Sequence, residues 1–450
     1  MKRSSRLVAT LTLLPLALAA CGAGGASPGT GTASASTVSY WLWDSNQQPA
    51  YQQCADAFHV KNPNITVKIT QKGWDDYWSA ITTGMVSGTA PDVFTDHLSK
   101  YPDFFTKKQI LPLDSLITRD KVDTTIYEPG LADLWVGSDK QRYGLPKDWD
   151  TTAIFYDKKL TEAAGITTAQ MGALTWNPTD GGTYEKAIAH LTVDKAGKRG
   201  DQAGFDKNNV KVYGLWMEGS GTGYGQTQWS MYAATNGWTP TDKNPWGKHY
   251  NFDSPKFQET ITWWKSLVDK GYMPSFKAQT GIGWSDELAA GKVAMATNGS
   301  WMIGAVFSSK GITPAVAPNP IGPSGKRASM FNGLADSIYA GTKNQEGAWQ
   351  WVKFLASKDC QDIVGAKAVV FPAIPSSVEI AQKGFTAKGV DVSAFTIQVK
   401  DKTTFLFPIT DHAADVSAIM TPAMDAVMSG QAPVTSLVKA NQQVNALFGS

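Results

Sequence analysis

Three cysteines and five histidines in 450 residues are a thin supply for metal chemistry. The histidines are scattered, no H-E-x-x-H occurs and no two cysteines stand at metal-ligand spacing, so no metal centre is expected. Phosphate chemistry is equally short of parts: GSGTGYG (219–225) is followed by no Lys-Ser/Thr and does not match G-x-G-x-x-G, and no G-x-S-x-G elbow appears. With these motifs missing, no cofactor is expected. Basic tracts are absent too. The net charge of +2 reflects Lys2, Arg3 and Arg6, and beyond residue 20 the chain carries 38 basic against 39 acidic residues, so nucleic acid is not an expected partner. No apolar run reaches the ~20 residues a membrane-spanning helix needs.

What is present begins at the N-terminus. The three cationic residues precede Leu7–Ala20, an apolar run broken only by Thr10, Thr12 and Pro15, which is the layout of an export signal over residues 1–20. Leu18-Ala19-Ala20-Cys21 resembles the lipobox of bacterial lipoproteins. That resemblance implies a multiply acylated Cys21, palmitate included, holding the protein on the outer face of the cell membrane; one acyl chain alone binds only marginally. The bland alternative is an ordinary signal with a chance cysteine. Gly22–Thr37 is Gly, Ala, Ser and Thr with one Pro, so residues 21–37 form an anchor and a flexible tether spanning about 20–24 Å.

The rest is ordinary globular material, 42% hydrophobic and 18% charged, long enough for two or three domains. VSYWLW (38–43) reads as a strand, followed by a helix with Tyr51, Cys54, Ala55 and Phe58 at i, i+3, i+4 and i+7 that stops at Pro63. ITVKI (65–69), a helix over 75–88 and DVFTD (92–96) continue the alternation. VYGLWM (212–217) reads as a strand, Ser254-Pro255 opens a helix that stops at Gly271, ELAAG (287–291) runs into the strand VAMAT (293–297), Ala348, Trp351, Val352 and Leu355 mark another helix, and the tail is helical. Such alternation indicates an α/β fold with mainly parallel sheets flanked by helices.

Once Cys21 is set aside, Cys54 and Cys360 remain, either paired as exported cysteines often are or buried as two small apolar thiols. The unusual surplus is tryptophan, seventeen residues. Many serve the core, yet indole rings also offer flat faces on which the C–H faces of sugars stack.

The motif order resembles the extracellular solute-binding proteins of ABC importers, in the sugar-binding branch typified by maltodextrin-binding proteins. The resemblance rests on GTAPDVF (88–94), YGLPKDWDTTAIFYDKKLTEAAGI (143–166), GKVAMATNGSWM (291–302), NQEGAWQWVKFLASKDCQ (344–361) and FPAIPS (371–376). It implies two lobes joined by a multiply crossed hinge: residues 38–145 with 325–368 in the N-terminal lobe, and 146–324 with 369–450 in the C-terminal lobe. Cys54 and Cys360 then share a lobe, which favours their pairing.

Ligands of open α/β sheets lie beyond the carboxyl ends of strands. Trp43 and Asp44 follow the first strand, Trp74 the second, His97 the third, and Asn298 to Trp301 follow VAMAT. The resemblance implies a stacking role for Trp301 and a hydroxyl-binding role for Asp150, with Glu218 and Trp229 matching a ligand region more loosely. Each has a plain structural alternative: core packing for Trp301 and Trp229, a turn for Asp150, a helix cap for Asp44, a satisfied polar residue for His97. Leu98-Ser99 replaces a charged pair of the maltodextrin pattern, which leaves the sugar's identity open. The expectation is a monomeric, non-enzymatic lipoprotein receptor outside the cytoplasm that captures an oligosaccharide and hands it to a membrane permease. The alternatives are a same-fold receptor for another solute and a secreted glycoside hydrolase.

Overall fold

The computed structural model describes residues 35–449. The expected export signal, Cys21 and tether residues 22–34 lie outside them. Strand β1 (Ser36–Leu42) buries Val38, Tyr40 and Leu42 at alternate positions, as a pleated strand with one covered face must. It pairs in parallel with β2 (Ile65–Gln71) and β3 (Val93–Asp96). The intervening helices are Gln48–Lys61, with Pro49 in its first turn, and Trp74–Ser87, which Gly88 ends in a left-handed conformation at φ 77°.

The chain then runs through β4 (Leu145–Asp150) and β5 (Thr152–Asp157) with only Thr151 between them. The first joins the large sheet and the second founds another, so the chain passes from one lobe to the other at Thr151. A short ribbon of β6 (Val193–Asp194) and β7 (Val210–Val212) follows. Beyond Val212 the expected strand continues only through isolated parallel bridges, Tyr213 to Val293 and Trp216 to Ala296. β8 (Met295–Gly299) and β9 (Pro314–Ala317) flank β5, both antiparallel to it. β10 (Ser329–Ile338) returns to the large sheet between β3 and β4, β11 (Phe371–Pro372) pairs with β4, and β12 (Thr404–Leu406) pairs with β10.

The fold is two-lobed α/β, but its sheets are more mixed than the expected mainly parallel arrangement. Among the described strand pairs only β1–β2, β1–β3 and β10–β12 are parallel, beside the isolated parallel bridges; β10 opposes β3 and β4, and β5 opposes both β8 and β9. The reason is the crossing itself: strands that leave a lobe and strands that return to it lie side by side in opposite directions.

Two apolar cores result, one built on the large sheet and continuing across the crossing to Phe155, Trp284 and Ile303, and one around Trp176, Trp229, Trp264, Phe257 and Met420. The chain after residue 369 divides differently from the expected boundary. Helix Pro375–Ala387 packs Val378, Ala381 and Phe385 on the large-sheet side, next to helix Lys358–Lys367 and β11, and the chain returns to the second sheet at helix Ser393–Lys400, whose Phe395 meets Phe155 of β5. Gly365 permits this packing, since a Cβ there would stand 2.6 Å from the Ser377 carbonyl oxygen. A disulfide joins Cys54 to Cys360 across 306 residues, tying helix Gln48–Lys61 to helix Lys358–Lys367. Among the described residues, no helix is long and apolar enough to cross a membrane.

Candidate functional site

Several of the expected residues gather where strands end at the lobe crossing. β1 leads into Trp43, and the first position of helix Trp74–Ser87 delivers Trp74, which meets Trp43 edge-on with ring centroids 5.1 Å apart. Trp78, one helical turn after Trp74, closes the group at 5.5 Å from both rings. His97, just past β3, lies 5.5 Å from Trp74 and 5.3 Å from Phe407. Phe407 in turn packs on Tyr224 of the glycine-rich loop, at 4.7 Å. An aromatic row therefore runs from the large-sheet lobe to the other. Trp74 is its open end, 44% exposed.

Polar groups line the crossing beside this row. Asp150, the last residue of β4, is buried and accepts hydrogen bonds from Gln226 Nε2 at 2.8 Å and Asn332 Nδ2 at 2.9 Å. Asn332 stands opposite Asp150 in the β10–β4 register, and its amide nitrogen also lies 3.3 Å from His97 Nε2. The Ser99 backbone N–H donates to His97 Nδ1. Burial lowers the imidazole pKa to about 3, so His97 is neutral at physiological pH. Burial, reinforced by Asp148, holds the Asp150 carboxyl well above the usual carboxylate range. Asp148 is raised to about 7 and Asp96 to about 8, both chiefly by burial.

Deeper in the large sheet one cation counters this acidity. Lys147 Nζ donates to Tyr40 Oη and Thr95 Oγ1, lies 3.5 Å from Asp336 and sits 3.8 Å from the centre of the Tyr51 ring. Oδ2 of Asp96, Asp148 and Asp336 has no hydrogen-bond partner.

The second lobe brings Asn298 and Trp301 to the same crossing. Asn298 pairs with Ala153 in the β5–β8 register, and Ser300 N–H donates to the Thr151 carbonyl, the residue after Asp150. Trp301 is half-buried, and its ring lies against Gly299, where a Cβ would come within 1.9 Å of it. Only a glycine lets the indole take this position.

Other expected residues have different surroundings. Asp44 is half-buried; its oxygens accept from Asn46 N–H and Gln47 Nε2, forming the turn into helix Gln48–Lys61. Glu218 is exposed at the start of the glycine-rich loop, where its carbonyl accepts from Gln228. Trp229 has no exposed surface: its Nε1 donates to Ser220 O, its ring packs on Trp238 and Phe257, and Gly221 and Gly225 make room for it. The glycines thus admit an indole beneath the loop, and Trp229 holds up the segment that presents Gln226.

Asn332, Gln226, Phe407 and Tyr224 were not singled out by sequence reasoning. Tyr224 and Gln226 adjoin the glycine-rich stretch that drew attention; Asn332 carries no signal short of strand pairing. Among the described residues, no cluster of three or more His, Cys, Asp or Glu side chains could hold a metal ion.

Comparison with known proteins agrees with this architecture. Residues 53–390 match the family model described as bacterial extracellular solute-binding protein. The chain is similar to the galactooligosaccharide-binding protein of Bacillus subtilis, with 24% identity over 390 residues covering 86% of this chain and 83% of that one. Among solved structures it resembles an ABC substrate-binding protein of Listeria monocytogenes in complex with cycloalternan, at TM-score 0.78 and 19% identity over 92% and 99% of the two chains. The GacH receptor of Streptomyces glaucescens, solved unliganded and with acarbose, matches at TM-score 0.72 and 22% identity over 92% and 97%.

Proposed function

This chain belongs to the bacterial extracellular solute-binding protein family, and from that premise we propose that it captures an oligosaccharide between its lobes and delivers it to the permease of an ABC importer. The observation that carries this reading is the aromatic row from Trp74 to Tyr224 lying beside the Asp150–Asn332–Gln226 amide and carboxylate set. Flat apolar faces beside fixed donors and acceptors suit a ring that is apolar on its faces and hydroxylated at its rim. Trp43, Trp74, His97, Asp150, Asn298 and Trp301 are the proposed contacts, with Asp44 and Glu218 at the margin and Trp229 as a support. The named ligands of the similar proteins, galactooligosaccharide, cycloalternan and acarbose, point the same way.

The family is one of binding proteins, and the proposed task needs no bond made or broken. Ligand capture shifts the population of lobe arrangements, and the permease reads the ligand-bound one. Anchoring through an acylated Cys21 and action as a monomer complete the proposal.

Thermal unfolding of the protein lacking residues 1–37, against mono- and oligosaccharides with peptides and organic acids as controls, tests it. A ligand at a hundred times its Kd adds about 2.7 kcal/mol of stability and raises the midpoint. A shift with one sugar family, recovered intact, is the expected result. Cleaved sugar would indicate a hydrolase, and a response only to a control would give the cleft to another solute class.

A further inference from the structure

One segment joins the lobes away from the residues proposed to touch ligand. After Trp238, buried in the second core, residues 239–250 leave that core and return to it at Tyr250. The excursion is well braced. Asp242 Oδ1 accepts from Lys248 and His249 N–H, closing the base. The Asn244 side-chain amide acts as a piece of extra strand: Nδ2 donates to Leu406 O and Phe407 O, while Oδ1 accepts from Ile409 N–H.

The brace presents Trp246. Its N–H donates to Ile409 O at 2.7 Å, and its backbone has φ 66°, a left-handed conformation that a bulky residue adopts only under constraint. The indole reaches the large-sheet lobe, where Nε1 donates to Val136 O at 3.1 Å and the ring stands edge-on to Phe105 at 5.6 Å and Tyr101 at 6.1 Å. Those two rings are themselves seated, Phe105 on Tyr143 and Tyr101 on Trp135.

A second, independent link falls on the same short helix, Tyr101–Thr106. Asp103 Oδ2 accepts from Ala414 N–H, in the first turn of helix Ala413–Met428, whose Val416, Met420 and Met424 belong to the second core. That helix has no side-chain cap of its own, so the opposite lobe supplies one.

We infer that residues 239–250 form an interlobe latch, in which the Trp246 indole seats between Val136, Tyr101 and Phe105 and the Asp103 cap fixes the same flank. The bond from Trp246 N–H to Ile409 O and the Asn244 amide hold the left-handed backbone that aims the indole across the lobes, and the latch sets how readily the lobes part whatever ligand the cleft accepts.

The test needs no ligand. Hydrogen exchange and small-angle scattering are compared for the mature protein, Trp246→Ala and Phe105→Leu, the second loosening the seat from the other lobe. The expected result is amide exchange about tenfold faster across residues 101–106 and at Ala414 in both variants, with a larger radius of gyration and unchanged exchange in the β1–β3 core. Trp246→Phe, which keeps a ring but loses the bond to Val136, falls between. Faster exchange confined to 240–248, with scattering unchanged, would reduce Trp246 to local packing and overturn the latch. If Trp246→Ala loses protection everywhere, Phe105→Leu and Trp246→Phe decide by the same two readings. Because no sugar enters the measurement, a failed latch leaves the ligand proposal standing, and a wrong ligand class leaves the latch standing.

Discussion

The tryptophans at the strand ends of the large sheet and those of the second core are used in opposite ways, although the large-sheet lobe also buries Trp135, Trp149, Trp349 and Trp351. Beyond the strands of the large sheet Trp74 stands edge-on to both Trp43 and Trp78 and is open to solvent. In the other lobe Trp176, Trp229, Trp263 and Trp264 sink into a core of Met, Leu and Phe and expose almost nothing. Polarity divides along the same line. The large sheet buries Lys147, Asp96, Asp148 and Asp336 close together, whereas the buried carboxylates of the second lobe, Asp157 and Asp194, are each spent on backbone N–H groups. Under the sugar reading, one residue type thus serves recognition where its edge is left open and cohesion where it is covered. The difference lies in the neighbours and not in the ring.

Trp229→Ala should break the comparison most severely. The ring is fully buried under Gly221 and Gly225 and against Phe257, so truncation opens a cavity costing about 3–5 kcal/mol. Denaturant unfolding should show the loss with or without ligand. A variant of normal stability but weakened binding would instead give Trp229 a direct place in the cleft.

The buried acids sharpen the polar half of the contrast. Burial raises Asp148 to about 7 and Asp96 to about 8, above the unfolded carboxylate value near 4. A group raised on folding adds stability that is full below its unfolded pKa and is lost as pH rises through the folded value. The protein should therefore lose stability between about pH 4 and pH 8 through this lobe. Asp148→Asn keeps the shape, and its Oδ2 has no partner to lose. It should be more stable than the parent by about 1–3 kcal/mol at pH 8 and nearly equal to it at pH 4, measured by urea unfolding at both. An unchanged difference across pH would show that Asp148 ionises freely.

Much of this layout is legible in the residues. Spacing at i, i+3, i+4 and i+7 locates helix Gln48–Lys61 and its buried Cys54, and the apolar alternation of β1 is plain because water wets only one of its faces. The strand ends name Trp43, Trp74 and His97 as neighbours of one another. What stays hidden depends on long-range register. Asn332 sits in a strand buried at every position, so nothing local marks it, and only antiparallel pairing sets it against Asp150. The boundary near residue 369 is hidden for a similar reason: an amphipathic helix does not say which lobe covers it. Nor does an indole announce its exposure, and Trp229 and Trp74 look alike until their neighbours are placed.

The smallest expected effect on stability is also the most discriminating. Trp74 makes edge contacts to Trp43, Trp78 and His97 but leaves nearly half its surface in solvent, and it opens helix Trp74–Ser87, where Gly73 already leaves the cap without a side chain. Trp74→Ala removes little buried area, so the melting temperature should fall by no more than a few degrees. Under the sugar reading the same substitution takes away the most accessible stacking face, and affinity should fall about tenfold, near 1.4 kcal/mol, with the loss in the dissociation rate. Trp301→Ala, on the opposite lobe, should weaken binding by a similar factor, and calorimetry on both variants would measure it. If Trp74→Ala binds like the parent while Trp301→Ala does not, recognition belongs to the second lobe and the open tryptophans of the first serve another surface. If both lose affinity while both fold, the ligand is held by one aromatic face from each lobe, and closure is what brings the faces together.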